Sequence, residues 1–467
     1  MTDQPHPSEK YAGSLTRSSV PVQLLKLALP MLGGTFAMTT FNLVDTYYIS
    51  RLPGPEPLAA MGFTFPVIMV LVAVAHGIGM GVTSVVSRIL GAGEHKKAAL
   101  ITAHSILLAL ILVISLAAVG LCTIRPVFTM LGAEADMIPL IREYIVIWYG
   151  GIVFMIVPMM INNVMRAAGN AVIPGIIMVA ACILNAVLDP IMIFGFAGFP
   201  ALGLRGAALA TVTSRAVTLI AGVWILHSRF RLIDFRRVPL GSVWDSWERV
   251  LHIGIPSVMT GLLMPISGGV ITRLVAGFGV KAVAACSAAV RIEMFAFMVP
   301  MALGISQVPF IGQNWGAGRL DRVNRCRTYS NLFAFGWGIV IAILFRAVSG
   351  PLAGIFSDDP EVFRILKMYL CTVPIGYGMM EIHRYVGFSF NAIGRPMHAV
   401  CVNVLRIVFL LIPLSILGAN LFGLQGIFWG RVITDILSAS AALVWASLLF
   451  RSIEYRGFIP HAARCAQ

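Results

Sequence analysis

Long apolar stretches separated by short polar ones make up most of this chain. A helix needs about 20 apolar residues to cross the hydrocarbon core of a bilayer, and twelve stretches meet that length. They lie near residues 22–50, 58–87, 98–122, 137–163, 171–196, 203–227, 247–278, 282–311, 328–349, 362–387, 395–418 and 425–450. Lipid offers no partners for backbone polar groups, and the alternating pattern of a barrel strand is absent. The pattern therefore predicts an all-α membrane protein with twelve transmembrane helices.

Composition supports a membrane location and argues against nucleic acid as a partner. Of the 467 residues, 58% are hydrophobic and 12% are charged, whereas soluble domains are about 25% charged. The formal net charge of +14 lies mostly in the short loops between apolar stretches. Anionic lipid headgroups are therefore the expected partners of these positive charges.

Lysine and arginine accumulate in alternate loops, which sets the orientation of the helices. The basic loops follow the second, sixth, eighth and tenth stretches, and they include Arg88, Lys96, Lys97, Arg229, Arg231, Arg236, Arg237, Arg319, Arg322 and Arg325. The loop at 355–361 on the opposite side is acidic instead. The positive-inside rule predicts a multi-pass protein of the bacterial cytoplasmic (inner) membrane with both termini in the cytoplasm.

Landmarks in the first half recur in the second half at an offset of about 225 residues. The matching pairs are Pro30 and Pro256, Gly79 and Gly304, Gly93 and Gly318, Gly169 and Gly394, Gly203 and Gly423, and Gly206 and Gly426. Because each half holds six helices, both copies begin on the same side of the membrane. This predicts two six-helix lobes related by a pseudo-two-fold axis along the membrane normal, around a cleft that opens alternately to either side.

The repeat also predicts the domain boundaries. A polar cytoplasmic N-terminus occupies 1–20, the N-lobe 21–228, a cytoplasmic linker 229–246, the C-lobe 247–450 and a cytoplasmic tail 451–467. The protein is expected to be a monomer.

Acidic side chains inside the first-half helices are the candidate functional residues. A charged residue at mid-membrane costs roughly 2.5 to 3.5 kcal/mol on insertion scales and usually has a partner or a function. Asp45 lies late in the first helix. Asn185 and Asp189 share a face of the fifth helix, and Ala207 and Thr211 share a face of the sixth. Their oxygens would suit a hard cation such as Na⁺, or would accept a proton.

Each of these residues also has a structural interpretation. Asp45 could lie at headgroup level, since Arg51 follows six residues later. Asp189, which stands directly before Pro190, could cap a half-helix. In the functional interpretation, the backbone carbonyl that Pro190 frees could be a further oxygen ligand. Thr211 could join helices, as serine and threonine commonly do in membranes.

The second half carries Glu293, Glu381 and Asp435 in its apolar stretches. Glu381 has Arg384 three residues on, and Asp435 has Arg431 four residues before it, so both are predicted to form structural ion pairs. Glu293 lies near Arg291, and it could instead face the cleft. The positions that match Asp45 and Asp189 are apolar, around Ile271 and Ile412. Ion coupling is therefore expected mainly in the first half.

Other chemistry is not indicated by the sequence. The seven cysteines are scattered without paired spacing, so a disulfide or metal framework is not expected. There is no Walker loop, no HExxH and no GxSxG motif. The chain is therefore predicted to be a gradient-driven transporter and not an enzyme, with no cofactor besides the coupling ion.

Taken together, several motifs resemble those of the multidrug and toxic compound extrusion (MATE) family of cation-coupled antiporters. They are LALP at 27–30, NLVDTYYISRL at 42–52, SRILGAG at 87–93, MRAAGN at 165–170, LNAVLDP at 184–190, GLRGAALAT at 203–211 and GQNWGAG at 312–318. The resemblance covers roughly residues 20–450.

The resemblance implies export of organic cations or other amphipathic compounds in exchange for Na⁺ or H⁺. The family's acidic residue on helix 1 falls on Asp45, its helix 5 polar pair on Asn185 and Asp189, and its helix 6 threonine on Thr211. Its helix-bending proline falls on Pro30. Glu293 and Glu381 are only partial candidates for the second-lobe acids that some members use.

A flippase for a lipid-linked oligosaccharide is the alternative function. It requires a cavity lined with basic residues that hold a pyrophosphate group. Basic residues are sparse within the predicted spans, although Arg273 and Arg291 are available.

Overall fold

The structure, a computed structural model, describes residues 14–54, 56–233 and 240–455, and every regular element in these ranges is helical. The α-helices are α1 (Val20–Ser50), α2 (Glu56–Gly91), α3 (His95–Cys122), α4 (Ile124–Met130), α5 (Met137–Gly150), α6 (Ile152–Ala167), α7 (Val172–Phe194), α8 (Leu204–Ile225), α9 (Val243–Ala276), α10 (Val280–Gly316), α11 (Leu320–Phe356), α12 (Pro360–Thr372), α13 (Tyr377–Ala392), α14 (Pro396–Val404) and α15 (Ile412–Tyr455).

These helices account for the twelve predicted spans. Within the described ranges, nine helical stretches are long and apolar enough to cross a bilayer, or ten if α5 and α6, bent by 45°, form one span. One of the nine, Pro396–Tyr455, is 60 residues long and holds both of the last two predicted spans. The tenth predicted span corresponds to α12 and α13, which are 13 and 16 residues long.

The kink in α15 and the start of α12 have clear local causes in the sequence. Gly423 inside α15 has φ 61° and ψ −144°, a conformation that only glycine adopts readily, and the helix kinks there. At the start of α12, the Asp359 carboxylate accepts hydrogen bonds from the backbone amides of Glu361 (2.9 Å) and Val362 (3.2 Å). Pro360 occupies the first helical position, where its missing amide hydrogen costs nothing.

The described chain divides into two compact units. The first holds residues 29–254, and the second combines residues 15–28 with those from 255 onward. Residues 15–28 group with the second unit because the Leu15 amide donates to Gln313 Oε1 (3.1 Å) and the Arg322 guanidinium donates to the carbonyls of Leu15 (3.0 Å) and Ser18 (2.6 Å). Residues 1–13 of the predicted N-terminus, 234–239 of the predicted linker and 456–467 of the predicted tail lie outside the described residues.

Each unit is organised around one central helix. In the first unit, α6 packs against α2, α3 and α8, and in the second, α13 packs against α10, α11 and α15. These are the fourth spans of their respective halves. Buried residues such as Ile161 and Val164 of α6 belong to the first core. Val386 and Phe390 of α13 belong to a core of the second.

The repeated glycines have the same backbone conformation in both halves. Six of them have positive φ, namely Gly93 (82°), Gly169 (87°) and Gly203 (54°), and their counterparts Gly318 (74°), Gly394 (78°) and Gly423 (61°). A side chain strains the backbone in this region, which explains why the positions recur. The remaining glycines of the repeat allow close contacts, since a Cβ at Gly79 would overlap Asn163 and one at Gly304 would meet the Phe388 ring.

Gly206 and Gly426 serve as contact points in their hairpins. A Cβ added at Gly206 would overlap the Met192 carbonyl of α7, and one at Gly426 would overlap the Gly418 carbonyl. The contact at Gly206 therefore sets the distance between α7 and α8, the two helices that carry Asn185, Asp189 and Thr211.

Replacing Gly206 with alanine is expected to force α7 and α8 apart and to cost about 1–3 kcal/mol. Gly62→Ala is the matched control, because nothing lies within 4 Å of a Cβ at that position. Thermal unfolding of the purified proteins in detergent measures the difference. Equal melting temperatures for the two variants would contradict the assigned contact.

Candidate functional site

The predicted first-half residues converge where α1, α7 and α8 pack in the first unit. The Asn185 side-chain amide donates to Asp189 Oδ1 (3.1 Å) on its own helix and to Thr211 Oγ1 (3.5 Å) on α8. Asp189 is completely buried, and Ala207 is 1% exposed beside them. Ala207 offers no side-chain oxygen, so α8 contributes its polar group through Thr211.

Asp45 joins this group from α1. It is 5% exposed, whereas a residue at headgroup level would be open to solvent. Its carboxylate is close enough to Asp189 for the two to repel each other. Tyr144 of α5, which is also buried, lies in electrostatic range of both carboxylates. Sequence reasoning missed Tyr144, because it stands in a separate helix with no spacing that relates it to the aspartates.

Three buried oxygens of this group have no hydrogen-bond partner among the described residues, namely Asp45 Oδ1, Asn185 Oδ1 and Asp189 Oδ2. Unsatisfied buried acceptors are costly. The described residues contain no group of three His, Cys, Asp or Glu side chains that would hold a metal on its own. The site instead offers two carboxylates, an amide and a hydroxyl, a set of hard oxygens that suits Na⁺ or bound protons.

Prolines shape two of these helices. Pro190 lies inside α7 directly after Asp189, so the Ala186 carbonyl lacks the amide hydrogen it would otherwise accept. Pro30 lies inside α1, and its carbonyl is so close to Gly175 of α7 that a Cβ there would lie 2.8 Å from the oxygen. Beside this contact is an apolar cavity of about 460 Å³, lined by Pro30, Val172, Gly175, Ile176, Val179, Ala180 and Ile183.

Glu293 of the second unit is buried, and its carboxylate is paired with Arg431 and not with the neighbouring Arg291. Its carboxylate accepts hydrogen bonds from Tyr369 (2.7 Å) and Tyr377 (2.6 Å) and forms an ion pair with Arg431 (3.0 Å). Arg431 also donates to the Tyr369 hydroxyl. The four residues come from α10, α12, α13 and α15, so no short sequence spacing could have revealed them together.

The predicted pairing of Asp435 with Arg431 is wrong. Asp435 is fully buried and pairs with Arg406, whose Nε and Nη2 lie 3.1 and 2.7 Å from Asp435 Oδ1. Arg431 pairs with Glu293 of α10 instead, at 3.0 Å. Glu381 does lie 3.0 Å from Arg384, as predicted, but neither of its oxygens has a hydrogen bond of good geometry.

Helices long enough to span a bilayer, arranged as a repeat with buried carboxylates in the first copy that have no arginine partner among the described residues, define a multi-pass membrane transport protein. The MatE family model matches the chain twice, at residues 30–191 and 256–417. The chain belongs to the MatE family, and the two matches begin at Pro30 and Pro256, the first pair of the repeat.

Known proteins resemble the chain over nearly its whole length. An FAD transporter of Shewanella oneidensis is 35% identical over 92% of this chain and 95% of its own. The multidrug export protein MepA of Staphylococcus saprophyticus is 26% identical over 93% of this chain and 95% of its own. The structure of the MATE transporter VcmN of Vibrio cholerae in its bent form is 31% identical, with a TM-score of 0.88, and covers 95% of this chain and 98% of that one.

These findings confirm the predicted family and the predicted fold class, an all-helical membrane protein with twelve spans in two lobes. Members of the family are transporters that handle small compounds.

The Arg406–Asp435 pair gives a test of the corrected pairing. Replacing Arg406 with methionine leaves a buried carboxylate without its partner and is expected to destabilise the protein by about 3–5 kcal/mol. Combining it with Asp435→Leu removes the orphaned charge and should recover most of the loss. Thermal unfolding in detergent measures both. If Arg431→Met, rather than Arg406→Met, were rescued by Asp435→Leu, the pairing described here would be incorrect.

Proposed function

We propose that the chain is a secondary active antiporter that exports small organic compounds in exchange for Na⁺ or H⁺ by alternating access. The observation that carries the proposal is the pair of buried carboxylates, Asp45 and Asp189, with oxygens that lack hydrogen-bond partners. A buried anion without compensation is unstable, so binding of a cation or a proton changes the energy of this site substantially.

Exchange follows if the cation binds one conformation of the protein more tightly than another, since a ligand shifts an equilibrium only by its differential affinity. Asp45 lies on α1 and Asp189 on α7, and Pro30 interrupts the hydrogen-bond ladder of α1. Loading the site removes the repulsion between the two carboxylates. We assign to Pro30 the role of the bend through which α1 responds, with Asn185 and Thr211 as neutral oxygen ligands.

The second unit is assigned a structural role in this scheme. Glu293 already has Arg431 as a counter-charge and two tyrosine hydroxyls as donors. Glu381 faces Arg384. Neither carboxylate needs an exchangeable cation for neutrality, which supports coupling through the first unit.

Two classes of exported compound are candidates. Multidrug export of organic cations or amphipathic compounds is supported by likeness to MepA at 26% identity. Export of FAD is supported by likeness to the Shewanella transporter at 35% identity. Both are favoured over the lipid-linked oligosaccharide flippase, because these relatives are named for small compounds. The distribution of basic loops supports placement in the bacterial cytoplasmic membrane with both termini in the cytoplasm.

Asp45→Asn is the decisive variant, because it removes the charge and keeps the size of the side chain. We expect gradient-driven export from proteoliposomes to fall to the level of protein-free vesicles, since an amide cannot bind a proton and binds Na⁺ weakly. Efflux of ethidium and of FAD, measured under separately imposed Na⁺ and H⁺ gradients, identifies the coupling ion and the substrate class.

Asp358→Asn is the matched control, because Asp358 is exposed in the loop between α11 and α12. It should export at the wild-type rate with equal protein levels. Gradient-dependent export by the Asp45→Asn protein at the wild-type rate would refute the proposed coupling site.

A further inference from the structure

An arginine that sequence reasoning did not single out lies near the middle of a transmembrane helix. Arg215 is in α8 (Leu204–Ile225), about equally far from both ends, and its side chain is half-buried. A guanidinium is always charged, and at mid-membrane it is expensive unless it is paired or faces a polar path. Its surroundings therefore indicate what it does.

No carboxylate of the described residues lies within ion-pair distance of Arg215. Its guanidinium carbon lies 5.3 Å from the centre of the Phe41 ring of α1. The Cys182 thiol of α7 is in electrostatic range and faces the Phe41 backbone. A ring face and a neutral thiol stabilise the charge only modestly. The donors of the guanidinium have no hydrogen-bond acceptor in the described parts of the chain.

Three arginines within the predicted spans of the second unit are buried or half-buried, and each of them has a carboxylate partner. Arg406 faces Asp435, Arg431 faces Glu293, and Arg384 faces Glu381, at distances of 2.7, 3.0 and 3.0 Å. Each of these positive charges is compensated within the protein. Arg215 is also not exposed but lacks a counter-charge, which distinguishes it from these three. Arg273, Arg291 and Arg346 also have no carboxylate partner among the described residues, but they are exposed.

Arg215 is one helical turn away from the proposed cation site. Phe41 precedes Asp45 by four residues, and Cys182 precedes Asn185 by three. Arg215 follows Thr211 by four, on the helix that runs in the opposite direction. Residues at these spacings share a helix face, so the three form a layer adjacent to the carboxylate layer on the same three helices. The first unit thus stacks an uncompensated positive group next to its carboxylates.

We propose that Arg215 binds a phosphate group of the transported compound, so that the substrate class is a phosphate-bearing anion such as a dinucleotide. The fixed fork of guanidinium donors matches two phosphate oxygens at once. The same charge repels an organic cation from this layer. This proposal rests on the proposed antiport. Of the two candidate classes of exported compound, it favours FAD-like compounds over organic cations.

Equilibrium binding to the purified protein in detergent tests this without any gradient. The probes are FAD, riboflavin, which has the same ring system without phosphate, and ethidium, a cation. We expect Arg215→Gln to weaken FAD binding by about tenfold or more, since a charge-assisted hydrogen bond is lost. Riboflavin affinity should be unchanged, ethidium affinity should not fall because a repelling charge is removed, and Arg215→Lys should bind FAD with intermediate affinity.

Arg346→Gln is the matched control, because Arg346 is an exposed arginine of α11. It should bind all three probes like the wild type. A measurement on the wild type alone needs no folded variant: inorganic pyrophosphate should displace FAD but not riboflavin.

The proposal is overturned if Arg215→Gln binds FAD as tightly as the wild type, if it weakens all three probes equally, or if pyrophosphate fails to displace FAD. Failure of the antiport itself is seen separately. In that case, wild-type proteoliposomes export at the same rate with and without an imposed gradient, while the binding preference that depends on Arg215 is still measured in detergent.

Discussion

The cost of holding charge away from water governs how this chain is built. In the first unit, Asp45 and Asp189 are almost wholly buried, and an oxygen of each has no hydrogen-bond partner among the described residues. An uncompensated carboxylate in an apolar interior is unfavourable by several kcal/mol, so the packing around it must be rigid enough to prevent escape to water. The close approach of α7 and α8 at Gly206 provides that rigidity next to the polar group.

The two halves have similar backbone features, but their buried charged groups differ in whether they have ion-pair partners. Matching glycines give the same turns and the same close helix contacts, and α6 and α13 hold corresponding central positions. On this common frame, the second unit satisfies its acids with Arg431, Arg406 and tyrosine hydroxyls. The first leaves both acids and Arg215 without direct counter-charges. Duplication of a scaffold therefore leaves its polar chemistry free to diverge.

Much of the fold could be predicted from the sequence. The thickness of the hydrocarbon core sets the length of each spanning helix, and recurring glycines indicate positions with positive φ or close helix contacts. The polar site of the first unit could also be predicted from the sequence, since the spacing of Asn185 and Asp189 places them on one helix face. The ion pairs of the second unit could not be predicted in this way. Glu293 and Arg431 are 138 residues apart, and local spacing suggested nearer partners for both Glu293 and Asp435. Arg406 lies in a π-helical segment (Leu405–Leu411), and α15, which carries Arg431 and Asp435, is kinked at Gly423. Hydropathy does not record either feature.

The pairing of Glu293 with Arg431 has a consequence for how the protein responds to its surroundings. A guanidinium that is covalently part of α15 stays with its carboxylate whatever salts the medium contains, and two tyrosine hydroxyls hold the same oxygen. A dissolved cation has to compete for the Glu293 carboxylate with the Arg431 guanidinium, which is covalently attached and cannot diffuse away. Changes in the ionic composition on either side of the membrane therefore leave the charge balance of this buried cluster as it is.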